Sequence, residues 1–510
     1  MFIEFCVFFI AKKRIFRSHK KKIMKTKIFT IVLLAFVGLS SNTNAQSPNW
    51  LWAKSAGGTG GTVWGNSIST DANGNSYITG EFGGSITFGS TTLTGVGSTD
   101  VFVVKYDGAG NLLWAKSAGG NVLDWSNSIS TDANGNSYII GWFNSTITFG
   151  STILTSAGWD DIFVVKYDGA GNVLWAKSAG GANHDHSKSI STDANGNSYI
   201  TGEFGSPTIT FGSTTLTNDS LTDIFVVKYD SSGNELWAKS AGGNDYECGE
   251  SISADASGNS YITGHFESPT INFGSTTLTN AGGMDIFIVK YDGVGNVLWA
   301  KSAGGINFER GYSISTDASG NSYITGHFYG FTCTFGSTTL TNCGSSDIFV
   351  VKYDGTGNVL WAKSAGGTSC DYGFSINTDA SGNSHITGGF ESDTITFGST
   401  TLTNTAGSDI FVAKLDNVTG IAEDNESFNA ITIFPNPANG NFTVNSKIKI
   451  SKIEVINVQG KKVYTSKINT AQSVFEGLST EIDLSNEAKG IYFVNIIAGE
   501  KTYNSKIIIQ

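Results

Sequence analysis

The side chains with most chemistry to offer fall in a few short stretches. His184-Asp185-His186 sets two imidazoles around a carboxylate, a grouping that suits metal ligation. A solvated polar loop is the plainer reading, and no metal is expected there. Glu81 and Glu203 are two carboxylates of the kind a glycosidase needs on one face, though only their number recommends them. Aromatic side chains beside carboxylates and His offer a different chemistry, stacking on a sugar or peptide with hydrogen bonds alongside. One such set holds Trp64; Asp124 and Trp125; His184, Asp185 and His186; Asp245, Tyr246 and Glu247; Phe308, Glu309 and Arg310; and Asp371 and Tyr372. A second holds Glu81, Trp142, Glu203, His265, His327 and Gly389. Drifting solvent loops favour Ser, Asn and Lys over Trp and Tyr, so the aromatic content points to binding. No Gly-x-Ser-x-Gly elbow, P-loop or His-Glu-x-x-His occurs, and no catalytic residue is expected.

Both sets recur at fixed places in an internal repeat. Trp-Ala-Lys-Ser-Ala-Gly-Gly starts at Trp52, Trp114, Trp175, Trp237, Trp299 and Trp361, a period of 61 or 62 residues. Between copies come Ser-Ile-Ser, a turn, Ser-Tyr-Ile-Thr-Gly, Ile-Thr-Phe-Gly-Ser-Thr-Thr-Leu-Thr and Asp-Ile-Phe-Val-Val-Lys-Tyr-Asp, with small changes. Short runs rich in Ile, Val, Thr, Phe and Tyr, bounded by Gly, Asn and Asp, are strands. Asp-x-x-Gly-Asn punctuates them in eleven of twelve places, with Asp accepting backbone hydrogen bonds and Gly supplying positive φ. Its Gly falls at the fourth position, not the sixth of an EF-hand loop, so these turns are read as structural and calcium as no more than a minor alternative.

The ends of the array suggest how it finishes. The chain starts with a lone Trp52-to-Ser55 strand and stops at Asp409 to Asp416 without the following partner. The leftover strand can complete the sixth unit and remove both sheet edges, as in a latched β-propeller. The expected fold is all-β: a six-bladed β-propeller closed by its N-terminal strand, followed by a small Ig-like β-sandwich. An open β-solenoid is the alternative. The Phe-Gly-Ser-Thr hairpin is placed between the second and third strands of each blade. In a propeller, the two variable sets would then converge at one end of the channel.

Composition and charge narrow the class. The 510 residues include 64 Gly and 5 Pro, with 12% aromatic residues, which is neither collagen nor a disordered chain. The formal charge of −11 conceals an asymmetry: residues 1–45 hold 9 basic and 1 acidic side chains, which leaves residues 46–510 at −19. Residues 421–510 are balanced, so the excess sits on the repeats, where it repels phosphate backbones and argues against nucleic acid or an anionic membrane as partner. No apolar run of spanning length lies beyond residue 45, so no transmembrane span is expected in the mature chain.

From Met24 the chain reads as a secretory signal peptide over 24–45: Lys25 and Lys27, an apolar stretch from Ile28 to Leu39, and cleavage between Ala45 and Gln46. Residues 1–23 sit oddly ahead of it and are read as an upstream extension, with translation beginning at Met24. Cys333 and Cys343 flank one hairpin and form a candidate disulfide.

Through Asp-x-x-Gly-Asn-x-Tyr-Ile-Thr-Gly and Phe-Val-Val-Lys-Tyr-Asp, residues 46–420 resemble the bacterial repeats named for a seven-bladed β-propeller (SBBP repeats), here in six copies. The resemblance implies an extracellular propeller and brings no agreed catalytic residues. After a polar linker at 421–430 come about seven short strands over 431–510. Pro435-Asn436-Pro437, Gly440, Gly460-Lys461, Asp483, Gly490, Tyr492 and Lys506 resemble the type IX secretion (Por secretion) type A C-terminal sorting domain. That resemblance implies recognition by the outer-membrane translocon and removal by its sorting peptidase, with cargo released or attached to surface lipopolysaccharide. The reading is a secreted or surface-displayed binding or adhesion protein of a Gram-negative bacterium, with glycans or surface proteins as partners and no cofactor. The alternatives are a polysaccharide hydrolase or lyase on the same scaffold and a structural surface-layer component.

Overall fold

The computed structural model describes residues 51–218, 220–417, 431–446, 450–467, 478–498 and 501–510. The expected signal peptide at 24–45 with its Ala45–Gln46 cleavage point, the extension at 1–23 and the linker at 421–430 lie outside the described residues. Every helix or strand assigned among the described residues is a β-strand. They divide into two compact units, one running to Asn377 and including Ile386–Val412, the other made of Thr378–His385 and Ala413–Gln510.

The third repeat illustrates the sheets of the first unit. Asp185–Thr192, Ser198–Phe204, Asp223–Tyr229 and Glu235–Ala241 lie side by side in chain order as an antiparallel sheet. The Thr208–Phe211 and Thr214–Thr217 hairpin is inserted between its second and third strands, where the sequence puts it. Repeats one, two, four and five build the same four-stranded sheet. Asp-Ile-Phe-Val-Val-Lys-Tyr is an almost unbroken apolar run because its strand is buried on both faces. Ile162 and Val164 pack forward against Ile190, Ile200 and Phe225 of the next sheet, while Phe163 and Val165 pack back against Tyr77 and Val101. The core therefore lies between successive sheets.

The Asp-x-x-Gly-Asn turns do two jobs. Asp193 Oδ1 accepts from the Asn195 and Asn197 amides at 2.9 and 3.0 Å, and its Oδ2 accepts from Asn197 Nδ2 at 2.7 Å. Gly196 takes φ +76°, which an L side chain adopts only with strain. Tyr199 then donates its hydroxyl to Asp193 Oδ2 and to the Gly258 carbonyl of the next repeat's turn, at 3.0 and 2.9 Å. Lys228 lies over the Tyr199 ring and donates to the Gly293 carbonyl, which Trp237 Nε1 also reaches. The repeated Asp, Tyr, Lys and Trp are thus one clamp that fastens each sheet to the next.

At the opposite edge, the first strands are tied by Ser-Ile-Ser: the Ile252 amide donates to Ser189 Oγ at 3.2 Å, and equivalent bonds join the other successive pairs. The array has two uncovered faces. Ile68 of the first repeat is 63% exposed where its equivalent Ile190 is 6%, and Ile410 of the last is 82% exposed where Ile224 is fully buried. The expected closure by an N-terminal strand is corrected in one respect: Trp52 to Ser55 forms no strand, and the sixth sheet keeps three, Asp371–Thr378, Ser384–Phe390 and Asp409–Leu415. Trp52 instead donates to the Gly108 carbonyl at 3.2 Å and lies 6.0 Å from the Tyr106 ring, contacts made by the first repeat's turn. The candidate disulfide is also absent. Cys333 is a free thiol buried in the core opposite Leu340, whereas Cys343 is free and exposed beyond the hairpin.

In the second unit, Ile431–Phe434, Asn441–Ser446 and Leu478–Asp483 make one sheet, and Lys462–Lys467, Lys452–Asn457, Gly490–Ala498 and Lys501–Ile509 make another. Phe442, Val444, Val455, Ile482, Val494 and Ile507 join in one core. Asn436 staples the entry segment to the last strand: its Nδ2 donates to the Lys506 carbonyl at 2.7 Å, and its Oδ1 accepts from the Ile508 amide. Pro435 and Pro437 flank it through cis bonds. Gly440 has φ +94°, and a Cβ there would meet Ser485. Gly460 closes the turn whose Asn457 side chain accepts from the Lys461 amide, Asp483 accepts from the Ser485 amide, and Tyr492 donates to the Ala488 carbonyl. The sorting-motif residues are therefore mostly turn and strand-end positions.

Candidate functional site

The two variable sets meet because of strand register. Trp64 is paired with Glu81, Trp125 with Trp142, His186 with Glu203, and Arg310 with His327; His265 faces Cys248. Just after each pair the register slips by one residue, between Gly65 and Ser67, Ser126 and Ser128, Ser187 and Ser189, Gly249 and Ser251, and Gly311 and Ser313. A β-bulge of this kind re-aims the extra side chain. The extra residue is Asn66, Asn127, Lys188, Glu250 or Tyr312, and four of the five reach the paired residues: Asn66 donates to Glu81, Lys188 pairs with Glu203 at 3.0 Å, Glu250 approaches His265 at 3.7 Å, and the Tyr312 ring lies 5.2 Å from His327. Sequence reasoning passed over these positions. Their signal was present, since the residue before Ser-Ile-Ser differs between most copies.

Neighbouring sheets join these groups into a stripe. Asn66 donates to the Ser126 carbonyl, the Trp125 and Trp142 rings stack in parallel at 5.9 Å, and Trp142 lies 5.4 Å from His186. At the far end His327, Tyr372 and Phe374 form an aromatic group, with Tyr372 and Phe374 stacked and Tyr329 touching the Tyr372 hydroxyl. Trp64, Tyr246 and Phe308 are about half exposed, and Asp245 is half-buried beside Tyr246. Gly389 is buried and adds no side chain.

All the acidic members of the first set but Asp245 belong elsewhere, which corrects their assignment to a ligand-facing surface. Asp124, Asp185, Glu247, Glu309 and Asp371 are fully buried. Each accepts the amide of the second Gly of Ala-Gly-Gly, as Asp124 does from Gly120 at 2.7 Å and Asp185 from Gly181 at 2.8 Å. Burial pushes Asp124 and Glu309 up to about 8. The first Gly of the motif is required because the aspartate that opens the neighbouring strand of the same sheet occupies the space of its Cβ, Asp223 against Gly242 for example.

Two carboxylates stay on the stripe with opposite electrostatics. Burial pushes Glu81 up to about 7, against the hydrogen bond from Asn66. Burial also acts to raise Glu203, but the hydrogen bond from His186 and the charge of Lys188 hold it down at about 2. Burial, reinforced by the Arg310 charge, pushes His265 down to about 3 and His327 down to about 4, so both imidazoles are neutral.

His184 and His186 do converge on a carboxylate, but it is not the intervening Asp185. Asp160, from the preceding sheet, places Oδ2 2.7 Å from His184 Nδ1 and 3.2 Å from His186 Nε2. Nothing in the sequence spacing brings residue 160 to residue 184; stacking of the repeats does.

Two stretches of the chain match known protein families. Residues 51–81 match the model of the β-propeller (SBBP) repeat, and residues 432–510 match that of the secretion system C-terminal sorting domain. The chain thus carries an SBBP repeat and a Por secretion tail, and the tail implies export through the type IX secretion system, to the cell surface or beyond. An uncharacterized WD repeat-containing protein of Acanthamoeba polyphaga mimivirus is 26% identical over 64% of this chain and 29% of its own length. The regulatory protein FlaEY of Caulobacter vibrioides is 27% identical over 32% of this chain and 18% of its own. The chain therefore spans less than a third of the curated relatives it matches. Among solved structures, a glucose dehydrogenase aligns at TM-score 0.30 and 8% identity, covering 64% of this chain and 92% of its own, and a puromycin hydrolase at 0.26 and 10%, covering 75% and 58%.

Proposed function

We propose that the repeat unit is a binding or adhesion module carried to the outer surface of a Gram-negative cell, or released from it, and that its stripe holds a glycan or a surface protein. The register carries this reading: positions that differ between copies are cross-strand partners, so the variation is gathered into one surface. Exposed Trp64, Tyr246 and Phe308 supply stacking faces, and half-buried polar groups lie beside them. Glu81 is sealed and Glu203 is committed to Lys188 and His186, which favours holding a polysaccharide over cleaving it. Through its sorting domain the chain meets the type IX translocon and its peptidase.

The finer architecture in this reading is a six-bladed propeller and an Ig-like sandwich. Trp52 occupies against the first repeat the place that Trp114 occupies against the second, donating to a turn carbonyl and lying against a Tyr ring. Closing the ring, with 52–55 as a fourth strand beside Asp409–Leu415, would pack Ile410 and Val412 of the last sheet against Ile68 of the first, as Ile162 and Val164 pack against Ile190, each burial worth about 1.5–3 kcal/mol.

The test is a glycan array probed with the full secreted chain and with the W125A/W142A variant. Saturable binding that the variant loses supports the reading, whereas binding that survives it places the ligand elsewhere. A chain lacking residues 421–510 should accumulate in the periplasm, and its arrival in the medium would refute the sorting role.

A further inference from the structure

We propose that Asp160, His184 and His186 form a binding site for a divalent transition metal of the zinc type. Their three ligand atoms lie within 4.8 Å of one another. A tetrahedral ion with bonds of about 2.0–2.1 Å needs ligand atoms roughly 3.4 Å apart, which small side-chain rotations supply. Two imidazoles and one carboxylate suit zinc and its neighbours better than calcium or magnesium, which prefer all-oxygen sets.

Three further observations point the same way. Asn144 donates to Asp160 Oδ1 at 3.2 Å, which turns Oδ2 toward both imidazoles. His186 presents Nε2 to Asp160 while its Nδ1 faces Glu203 Oε1 at 3.8 Å, and Lys188 anchors Glu203 in turn. A metal-binding His whose other nitrogen faces a carboxylate is the usual outer arrangement of a zinc site. The rings of Trp159 and Trp142 stand 5.4 Å from His184 and His186 and form walls on either side.

The other junctions act as internal controls. The backbone brings the same positions together there, through bridges between Thr99 and Leu123, Thr222 and Tyr246, Met284 and Phe308, and Ser346 and Cys370. None of these pairs has a His or a carboxylate. Three departures from the repeat, none required by the fold, coincide at the single junction where together they make a ligand set. His184 is exposed, so water can complete the ion's ligand set.

The experiment is calorimetric titration of ZnCl2 into the untagged, chelator-treated full chain, with Co2+ absorption as a second readout. One equivalent should bind, H186A and D160A should abolish it, and E203Q should weaken it by about 10–100-fold. H385A, at a separate exposed His–Asp contact, should leave it unchanged. If the H184A/H186A variant takes up as much Zn2+ as the parent, or the parent takes up none, the three residues are an ion pair only and the proposal fails. Circular dichroism of each variant separates loss of metal from loss of fold.

Discussion

The two ends of each sheet use the same scaffold in opposite ways. At the turn end, Asp193, Tyr199, Lys228 and Trp237 make bonds that recur from copy to copy, in the first repeat through Asp71, Tyr77, Lys105 and Trp114. At the stripe end the corresponding places hold Trp64 with Glu81, His186 with Glu203, and Arg310 with His327. Sheets are fastened at one end so securely that side chains at the other are free to differ. Stability and recognition are thereby assigned to separate edges of one repeated strand set.

The largest effect is expected at the clamp. D193A strands the Asn195 and Asn197 amides and leaves the Tyr199 hydroxyl only the Gly258 carbonyl, and should cost about 3 kcal/mol or more, with Y199F costing about 1–2 kcal/mol, both measured by denaturant unfolding. The clamp account is wrong if D193A unfolds like the parent.

A pH scan sharpens the same contrast. Burial pushes Asp161, Asp285 and Asp347 up to about 6, Glu81 to about 7, and Asp124 and Glu309 to about 8. A carboxyl with a raised folded pKa binds more protons folded than unfolded, so its contribution is present at low pH and lost as pH rises through the folded value. Turn aspartates run the other way: against burial, bonds from Asn321 hold Asp317 below its ordinary value, and that contribution is lost only in stronger acid. Between about pH 5 and 9 the buried set dominates. The melting temperature should fall by several degrees across that window, with a shallower slope for D124N; a flat or rising profile contradicts the assignment.

The smallest stability effect belongs to the stripe. W142A removes a partly exposed ring and should change unfolding by about 1 kcal/mol or less, while H184A should be near neutral without added metal. A loss comparable to that of D193A would mean that the stripe is part of the frame.

Strands and hairpins were legible because Asp-x-x-Gly-Asn marks nearly every turn and the apolar runs between are short. Convergence of the two variable sets was expected from blade geometry; in the structure it is cross-strand register that brings them together. The bulge at Asn66, Lys188 and Tyr312 was not legible, since a one-residue slip leaves no mark on composition. Burial of Asp124, Asp185, Glu247, Glu309 and Asp371 was legible in principle: five copies of six keep an acid there, and constancy of type signals a fold requirement. Asp160 beside His184 was not, because their contact depends on how sheets stack. The strand expected from Trp52 to Ser55 is not formed; Trp52 makes its contacts to Gly108 and Tyr106 instead.

One paired measurement tests the separation of frame from stripe: melting temperature and glycan-array binding for the parent, Y199F and W125A/W142A, all as full secreted chains. The account predicts that Y199F melts lower and binds as the parent does at a temperature where it is folded, while W125A/W142A melts close to the parent and does not bind. Binding retained by W125A/W142A, or a melting temperature lowered further by it than by Y199F, would contradict it.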